Sequence, residues 1–393
     1  MAKKDSQSEP RPTSLERRDF LRKAAVGTAG AGILAGCGQG GATAGASVAE
    51  AAVQGPEINW RMATSYPPGL DILNGTADRM AEKISSMTGG RFNIRVFAAG
   101  EIVPALQVMD AVQQGTIQCG YTSSYYYIGK NSALAFDSAV PFGLNARQQI
   151  AWMFHAGGLE VIREVFRDFG IISFPAGNTG AQMGGWFRRP IESVSELSGL
   201  RMRIPGMGGE VLARLGVSVQ VLGGADIYPA LERGAIDATE WVGAYDDEKL
   251  GFQQIAPLYY YPGWWEPGPN LSLQVNQAAY DELPEAYREL LNSITREYMM
   301  DQLARYDAEN PRVLEKLVRE DGVELRPFSN EIMEACYRES QAYLDEQAAA
   351  NESFRRVYDS FKAYRDRAFP FFAGNELQYA RFTFPKVTGA VTA

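Results

Sequence analysis

The chain has 393 residues, of which 46% are hydrophobic and 22% charged, and this length favours two domains over a single compact core. Its formal net charge is −9 at pH 7, and so acidic a balance disfavours nucleic acid and anionic membrane surfaces as partners. Because His155 is the only histidine, we expect neither a histidine-based metal centre nor a Ser-His-Asp triad.

The first residues carry the pattern of an export signal. Residues 17–21 read RRDFL, which matches the twin-arginine motif. The weakly apolar stretch that follows, residues 24–36, is too short to span a bilayer core of about 30 Å as a helix. The sequence therefore predicts export by the twin-arginine route, to the periplasm or to the outer face of the cytoplasmic membrane.

A lipid anchor is predicted at the end of this signal. Residues 34–37 read LAGC and resemble a lipobox, whose cysteine becomes the lipidated first residue of the mature protein. We therefore predict a signal peptide at 1–36, lipidation of Cys37 and a tether at 37–57. Ordinary cleavage in the Ala/Gly-rich stretch after Cys37 is the alternative. Removing the signal takes away seven basic and four acidic residues, which changes the net charge from −9 to −12.

Strands alternate with helices where regular structure begins. The hydrophobic periodicity predicts strands at 60–65, 92–97 and 117–121 and helices at 72–84 and 106–112. Alternation of this kind implies a parallel sheet with helices on both faces.

The same order of elements resumes later in the chain, with strands at 200–204 and 217–221 and helices at 209–215 and 228–233. One short sequence pattern occurs in both halves, at residues 111–118 and 230–237. Each copy combines a helix end, a glycine suited to a left-handed cap and an apolar residue that starts a strand. We infer two lobes of similar design.

The last part of the chain is predicted to return to the first lobe. A strand-like stretch at 271–275 precedes a long helix, in which apolar residues recur at spacings of three and four, and the last hundred residues are mostly helical. We therefore assign the first lobe to 58–177, the second lobe to 178–266, and the return with its helical extension to 267–393.

An aromatic stripe marks the C-terminal helices, where Phe354, Val357, Tyr358, Phe361 and Tyr364 recur at helical spacing. Its simplest interpretation is packing on the first lobe, and the alternative is a surface for a second subunit. The stripe is large for a tail that merely frays, so a homodimer built on these helices is a hypothesis. The sequence leaves the choice between monomer and dimer open.

Two blocks of sequence are distinctive: residues 196–205 read ELSGLRMRIP, and residues 226–238 read DIYPALERGAIDA. These blocks resemble the extracytoplasmic binding proteins of TRAP transporters, the DctP-like family. The resemblance covers the chain from about Trp60 to the end of the long helix. It implies an α/β, two-lobed periplasmic-binding-protein fold with a hinge cleft and a helical C-terminal extension. It also implies a solute-binding subunit that catalyses nothing and delivers its ligand to membrane permease subunits.

The resemblance selects one arginine as the main ligand contact. In the family, the second arginine of the first block binds the ligand carboxylate, which corresponds to Arg203. A guanidinium fork matches two carboxylate oxygens, and burial does not remove its charge. Because Arg201 and Arg203 share a face of an alternating strand, the pattern alone does not distinguish them.

A second set of residues resembles the branch of the family that binds 2-oxo or 2-hydroxy monocarboxylates through a metal ion. The metal ligands of that branch correspond in this chain to Gln182, Glu240, the Trp241 carbonyl and Glu266, which comes 26 residues after Glu240. The Glu-Trp pair and the later glutamate are the residues that carry this likeness. The resemblance thus implies a cation bound together with a pyruvate- or lactate-like acid.

The charges of this set favour a hard cation. Two glutamates and a monocarboxylate bring three negative charges against the one positive charge of Arg203, which is unfavourable in a dehydrated cleft. Ca²⁺ brings the sum to zero and Na⁺ leaves it at minus one, and oxygen-only ligands disfavour zinc or copper. The sequence does not decide between sodium and calcium.

Aromatic residues are expected to wall a small apolar pocket. Candidates are Trp241, Trp265 and Tyr126, the last within a run of three tyrosines. Asn178, four residues before Gln182, is a candidate donor to the ligand carboxylate.

Two other functions remain open. The first is a metal-independent binder of dicarboxylates or sugar acids in the same family, which predicts more basic residues around Arg203. The second is a secreted metal-dependent hydrolase or lyase that uses Glu240 and Glu266. The sequence has no histidine ligand, nucleophile elbow or phosphate loop to support an enzyme, and it does not reveal which acid is bound.

Overall fold

Two mixed β-sheets form the framework of the molecule. The computed structural model describes residue 53 and residues 55–387, so the predicted export signal and Cys37 lie outside the described residues. The strands are β1 (Ile58–Thr64), β2 (Phe92–Phe97), β3 (Cys119–Thr122), β4 (Ile171–Asn178), β5 (Gly185–Phe187), β6 (Arg201–Arg203), β7 (Ser218–Gln220), β8 (Ala238–Thr239), β9 (Leu258–Tyr261), β10 (Asn270–Asn276) and β11 (Glu324–Pro327). The first sheet has the order β2-β1-β3-β10-β4 and the second the order β11-β9-β5-β8-β6-β7.

Helices cover both sheets and extend beyond them at the C-terminal end. Those in the described part of the chain are α1 (Gly75–Met87), α2 (Val108–Gln113), α3 (Ala135–Ser138), α4 (Ala146–His155), α5 (Gly158–Arg167), α6 (Gly206–Arg214), α7 (Gly224–Glu232), α8 (Ala244–Lys249), α9 (Gln277–Asp281), α10 (Glu285–Arg319), α11 (Asn330–Ala350), α12 (Glu352–Gly374) and α13 (Glu376–Val387). Within the described residues, no helix combines the length and the apolar composition needed to cross a membrane.

The predicted elements are confirmed, but the predicted strand direction is only partly right. β2 has the predicted bounds, and the other predicted strands and helices overlap observed ones. β1 is parallel to β2 and β3, whereas β10 is antiparallel to both β3 and β4. The expectation of an all-parallel sheet is therefore wrong. The reason is that β10 brings the chain back from the second lobe and so enters the first sheet from the opposite end.

The crossing strands β4 and β10 meet at a pair of asparagines. β4 ends at Asn178 and β10 begins at Asn270, and the two residues are partners in the antiparallel register. The Asn178 Nδ2 donates to Asn270 Oδ1 at 2.8 Å and to the Gly268 carbonyl at 3.1 Å. Two of the connections between the lobes are thus joined by hydrogen bonds where they leave the first sheet.

The segment after residue 267 contributes to both sheets. β10 joins the first sheet, and the 35-residue helix α10 then packs against β4 and, further along, against α8. β11 follows α10 and pairs in parallel with β9 of the second sheet. After the chain has returned to the first lobe through β10, it therefore also adds the strand β11 to the sheet of the second lobe.

The aromatic stripe of the C-terminal region is buried. Phe354 and Phe361 lie with their ring centroids 5.0 and 5.3 Å from that of Phe136, and Phe361 lies 5.3 Å from Trp152. Since Phe136 and Trp152 belong to the first lobe, the interpretation of the stripe as intramolecular packing is confirmed. A group of exposed apolar residues lies further on, in the last part of α12 and in α13.

A buried carboxylate organises the turn that carries two pocket tyrosines. The Asp137 carboxylate accepts hydrogen bonds from the hydroxyls of Ser124, Ser173 and Ser272, at 2.5, 3.2 and 2.6 Å. Ser173 and Ser272 belong to β4 and β10, while Ser124 begins the 3₁₀ turn Ser124–Tyr127. Burial raises the pKa of Asp137 although the serines oppose this effect. The first sheet and the tyrosine turn are thereby held together.

Candidate ligand and metal site

A small cavity lies where segments from the two sheets meet. Its lining residues follow strands of the first sheet, belong to the crossing segments, or come from β6 and the loop after β8. They are Tyr66, Leu73, Ser123, Tyr125, Tyr126, Thr179, Gln182, Arg203, Trp241, Val242, Pro269 and Leu271.

Arg203 provides the only cationic side chain in this described lining, and its side chain is 1% exposed. The Nε donates to the Leu222 carbonyl at 3.1 Å, and Nη1 donates to the Glu240 carbonyl at 3.1 Å and to Glu240 Oε1. The second terminal nitrogen, Nη2, is buried without a hydrogen-bond partner among the described residues. Three bonds therefore orient the guanidinium while one end of the fork remains available to a ligand carboxylate.

Arg201 has a different environment. Its side chain is 45% exposed and makes a two-pronged ion pair with Asp237, with Nε–Oδ2 and Nη2–Oδ1 distances of 2.9 and 2.6 Å. The β6 strand is only three residues long, and Arg201 lies at its exposed start while Arg203 is buried at its end. Tertiary burial thus separates two arginines that the sequence pattern leaves equivalent.

Oxygen atoms suited to a cation lie beside Arg203. Gln182 Oε1 and Glu240 Oε2 are buried and accept no hydrogen bond from the described residues. The Gln182 backbone N–H donates to the Glu266 carbonyl at 3.1 Å, so these two residues are held side by side. On the other side, the Glu240 N–H donates to the Arg203 carbonyl at 3.2 Å. The fold therefore brings together three residues that lie in separate parts of the sequence.

The two glutamates share a strongly unfavourable environment for negative charge. Burial raises the pKa of Glu240 to about 8, although Arg203 opposes the effect. Burial, with added repulsion from Glu240, raises the pKa of Glu266 well above its usual range, although Tyr125 donates a hydrogen bond to Oε2 at 3.3 Å. A cation between them would remove this penalty.

The donor set fits a hard cation. Carboxylate, amide and backbone carbonyl oxygens are the ligands that sodium and calcium accept, and this set contains no sulfur or imidazole. Among residues 55–387, no cluster of three or more His, Cys, Asp or Glu side chains could hold a metal ion. A cation beside Glu240 and Glu266 would therefore take its other ligands from amide or carbonyl oxygens, for which Gln182 and Trp241 are the predicted candidates.

The other predicted site residues have different positions. Tyr126 and Trp241 line the cavity, and the Trp241 ring lies 5.1 Å from the Arg203 guanidinium carbon. Trp265 is buried outside the lining, against Trp264 at a ring distance of 5.0 Å. Both amide hydrogens of Asn178 have protein acceptors, so in this structure its contribution is to the crossing strands.

Several lining residues were missed by sequence reasoning. Two of them are Ser123, directly after β3, and Tyr66, two residues after the end of β1. They are joined by a 2.9 Å hydrogen bond between their hydroxyls. Position after a strand of an α/β sheet is a signal that could have identified both. Leu271 and Pro269 carry no comparable signal, because they enter the cavity only through the return of β10.

Comparison with known proteins places this chain in a family. The model of DctP, described as bacterial extracellular solute-binding protein, family 7, matches residues 63–351. The monocarboxylate 2-oxoacid-binding periplasmic protein of Nostoc sp. is 50% identical over 368 residues, which cover 94% of this chain and 99% of that protein.

Two solved structures are similar over most of the chain. A TRAP transporter solute-binding protein from Bordetella bronchiseptica, described as a mixed occupancy dimer with copurified calcium and picolinate in one active site and an apo site, is 44% identical, with a TM-score of 0.83 over 85% of this chain and 99% of that one. A TRAP periplasmic solute-binding protein from Pseudoalteromonas atlantica, with bound sodium and pyruvate, is 38% identical, with a TM-score of 0.80 over 83% and 99%. The two-lobed fold, the cavity and these likenesses agree, and the chain belongs to the DctP family of bacterial extracellular solute-binding proteins.

Proposed function

We propose that this protein is the extracytoplasmic solute-binding subunit of a TRAP transporter that captures a small 2-oxo or 2-hydroxy monocarboxylate together with a cation. The observation that carries the proposal is the buried Arg203 fork, with one free nitrogen, beside the unpartnered oxygens of Gln182 and Glu240. The relatives described with 2-oxoacid, pyruvate or picolinate support this ligand class. The captured acid is then delivered to the membrane permease subunits.

Binding rests on two kinds of charge pairing. Arg203 Nη2 would bind the ligand carboxylate. The cation would be held by Gln182 and the carbonyl of Trp241, both lining residues, with Glu240 and Glu266, which are buried but are not among the lining residues. The cation supplies the positive charge that the two glutamates and the ligand lack, and a 2-oxo acid offers it further oxygen ligands. The relatives that bind sodium and calcium leave the identity of the ion in this chain to experiment.

The lining of the cavity favours a monocarboxylate over a dicarboxylate. Among the described lining residues Arg203 is the only cation, and the remaining wall includes apolar Leu73, Pro269 and Leu271. A second ligand carboxylate would therefore be buried without a charged partner, which is costly. The same lining offers no histidine to an enzymatic mechanism, and the family is one of solute-binding proteins.

A homodimer built on the last two helices is part of this proposal. Large apolar side chains on α12 and α13 are exposed, among them Phe371 at 62%, Tyr379 at 67% and Phe382 at 70%. Exposed aromatic residues in this density are typical of a protein interface. The dimeric description of the Bordetella bronchiseptica relative supports a second copy of this chain as the occupant.

Export and anchoring complete the proposal. The family is extracellular, in agreement with the export pattern around Arg17 and Arg18. We assign the route to the twin-arginine system and the anchor to a lipid on Cys37, which would keep the mature protein at the outer face of the cytoplasmic membrane.

Replacing Arg203 tests the ligand contact. Because Arg203→Ala removes a buried charged partner of the ligand, we expect a loss of about 2–5 kcal/mol, or roughly 30- to several-thousand-fold in pyruvate affinity by calorimetry. Arg203→Lys should be intermediate, since it keeps the charge but loses the fork. Arg201→Ala is the control and should change the affinity by less than about twofold, because its ion pair with Asp237 is exposed. Equal losses in the two alanine variants would refute the assignment.

Removing the cation tests whether cation binding and ligand binding are coupled. Cation and ligand should each tighten the binding of the other by the same factor. Dialysis against a chelator in sodium-free buffer should therefore lower the apparent pyruvate affinity, and added Ca²⁺ or Na⁺ should restore it. The Glu240→Gln, Glu266→Gln double variant should bind weakly and no longer respond to the cation, because repulsion and ion are lost together. The measurement is a pyruvate titration followed by tryptophan fluorescence. Equal wild-type affinity in chelator-treated, sodium-free buffer and in the same buffer with added Ca²⁺ or Na⁺ would contradict the proposal and favour the metal-independent alternative.

The export route can be tested by replacing Arg17 and Arg18 with lysine. The twin-arginine system recognises the arginine pair as a targeting signal, so the precursor of the double lysine variant should accumulate in the cytoplasm. Cell fractionation measures this outcome. Normal export of the double variant would show that another route is used.

The dimer can be tested by placing charge on its exposed aromatic surface. Phe382→Glu should convert a dimer to a monomer in light scattering at micromolar concentration, while pyruvate affinity stays unchanged. Asp168→Ala, at an exposed site on the first lobe, is the control and should not affect the mass. A monomeric wild-type protein at that concentration would end the hypothesis.

A further inference from the structure

The buried Asp247 carboxylate divides its two oxygens between a loop and a sheet. Asp247 lies on α8 and is 1% exposed. Its Oδ1 accepts the backbone N–H groups of Val242 and Gly243, both at 3.1 Å. Its Oδ2 accepts the indole N–H of Trp186 at 2.9 Å and the hydroxyl of Tyr259 at 2.8 Å. One side chain therefore connects the loop after β8 to the second sheet.

The sheet side of this connection is rigid. Trp186 on β5 and Tyr259 on β9 are partners in the antiparallel register, and Trp186 also pairs with Thr239 on β8. The rings of Trp186 and Tyr259 are stacked, with centroids 3.9 Å apart and planes at 14°. Because both side chains are fully buried, the donors that hold Oδ2 have little freedom to move.

The loop side acts on the peptide group that contains the predicted carbonyl ligand. The N–H of Val242 and the C=O of Trp241 belong to one peptide unit, which is planar and trans, so the two groups point in opposite directions. The bond from Val242 N–H to Asp247 therefore sets the direction of the Trp241 carbonyl. An anionic acceptor on the N–H also increases the negative charge on that carbonyl oxygen.

The same loop is held from a second direction. The Val242 carbonyl accepts the N–H of Met183 at 3.2 Å, which joins it to the residue after Gln182. The Glu240 N–H donates to Arg203 at the other end of the loop. With the bonds to Asp247, the loop is therefore attached to Met183, to Arg203 and to the second sheet.

A carboxylate is the side chain suited to this position. Four donors converge on it, and an ionised carboxylate offers two oxygens that accept only. Asparagine would present an NH₂ group to the Trp186 N–H or to the loop, and alanine would leave all four donors without an acceptor. The adjacent Asp246 differs, since it is equally buried but accepts from Tyr306 of α10 at 2.5 Å and not from the loop.

We propose that Asp247 is a positioning residue for the cation site, which orients and polarises the Trp241 carbonyl through the Val242 peptide N–H. The inference rests on the proposed binding of a cation with the ligand. Residues that orient metal ligands in this manner typically contribute about 10- to 100-fold to metal affinity.

The test compares Asp247→Ala with Asp246→Ala. In the presence of saturating pyruvate, Asp247→Ala should weaken Ca²⁺ binding by about 10- to 100-fold in calorimetry, whereas Asp246→Ala should stay within about twofold of wild type. Asp247→Ala leaves four donors without an acceptor and Asp246→Ala leaves one, so the first variant should lose more thermal stability. A purely structural role nevertheless predicts no difference in cation affinity between the two variants as long as both are folded. Without any cation, amide hydrogen exchange at Val242 and Gly243 should accelerate in Asp247→Ala only.

A second variant covers the case in which Asp247→Ala does not fold. The Trp186→Phe, Tyr259→Phe double variant keeps the stacked rings but removes both donors that anchor Oδ2, and it should also weaken Ca²⁺ binding and accelerate exchange at the two loop amides. Equal cation affinities in the Asp247 and Asp246 variants, or an unchanged affinity in the double variant, would overturn the inference. Cation-independent pyruvate binding by wild-type protein would instead mean that the proposed function fails.

Discussion

Burial of charge in a small cleft is the constraint on which the rest of this structure depends. Arg203 and Glu240 form an ion pair whose side chains are each 1% exposed, and Glu266 brings a second buried carboxylate without a second arginine. A buried charge is stable only when its partners are well oriented, so every group around Arg203 needs a firm attachment. The hydrogen bonds to Leu222 and to the Glu240 carbonyl supply that attachment from the protein side. A bound cation and ligand would complete the charge balance from the other side.

The framework of the molecule meets this requirement by placing the site where several chain crossings converge. β4 carries the chain out of the first sheet toward Gln182, and β10 carries it back just after Glu266. The hydrogen-bonded pair of Asn178 and Asn270 holds these two crossings together. Site residues on both crossings therefore keep their separation.

Two buried aspartates outside the cavity hold segments that line it. Asp137 attaches the tyrosine turn to two strands of the first sheet, and Asp247 attaches the loop after β8 to two strands of the second. Both are buried carboxylates that gather several donors. Because a carboxylate accepts from more than one direction, it can hold a loop against a sheet without a further backbone connection. Neither residue lines the cavity, yet each is bonded to a segment that does.

The sequence by itself determined the order of strands and helices, the two-lobed plan and the family, because hydrophobic periodicity and short motifs are local properties. It also indicated Arg203, Gln182, Glu240 and Glu266, through resemblance more than through chemistry. Tertiary structure alone decided which of two alternating arginines is buried, since Arg201 pairs with Asp237 at the surface. It also decided that β10 runs antiparallel, that Trp265 lies outside the lining and that Leu271 lies within it. These outcomes depend on contacts between segments distant in the chain, and no local pattern records where such segments meet.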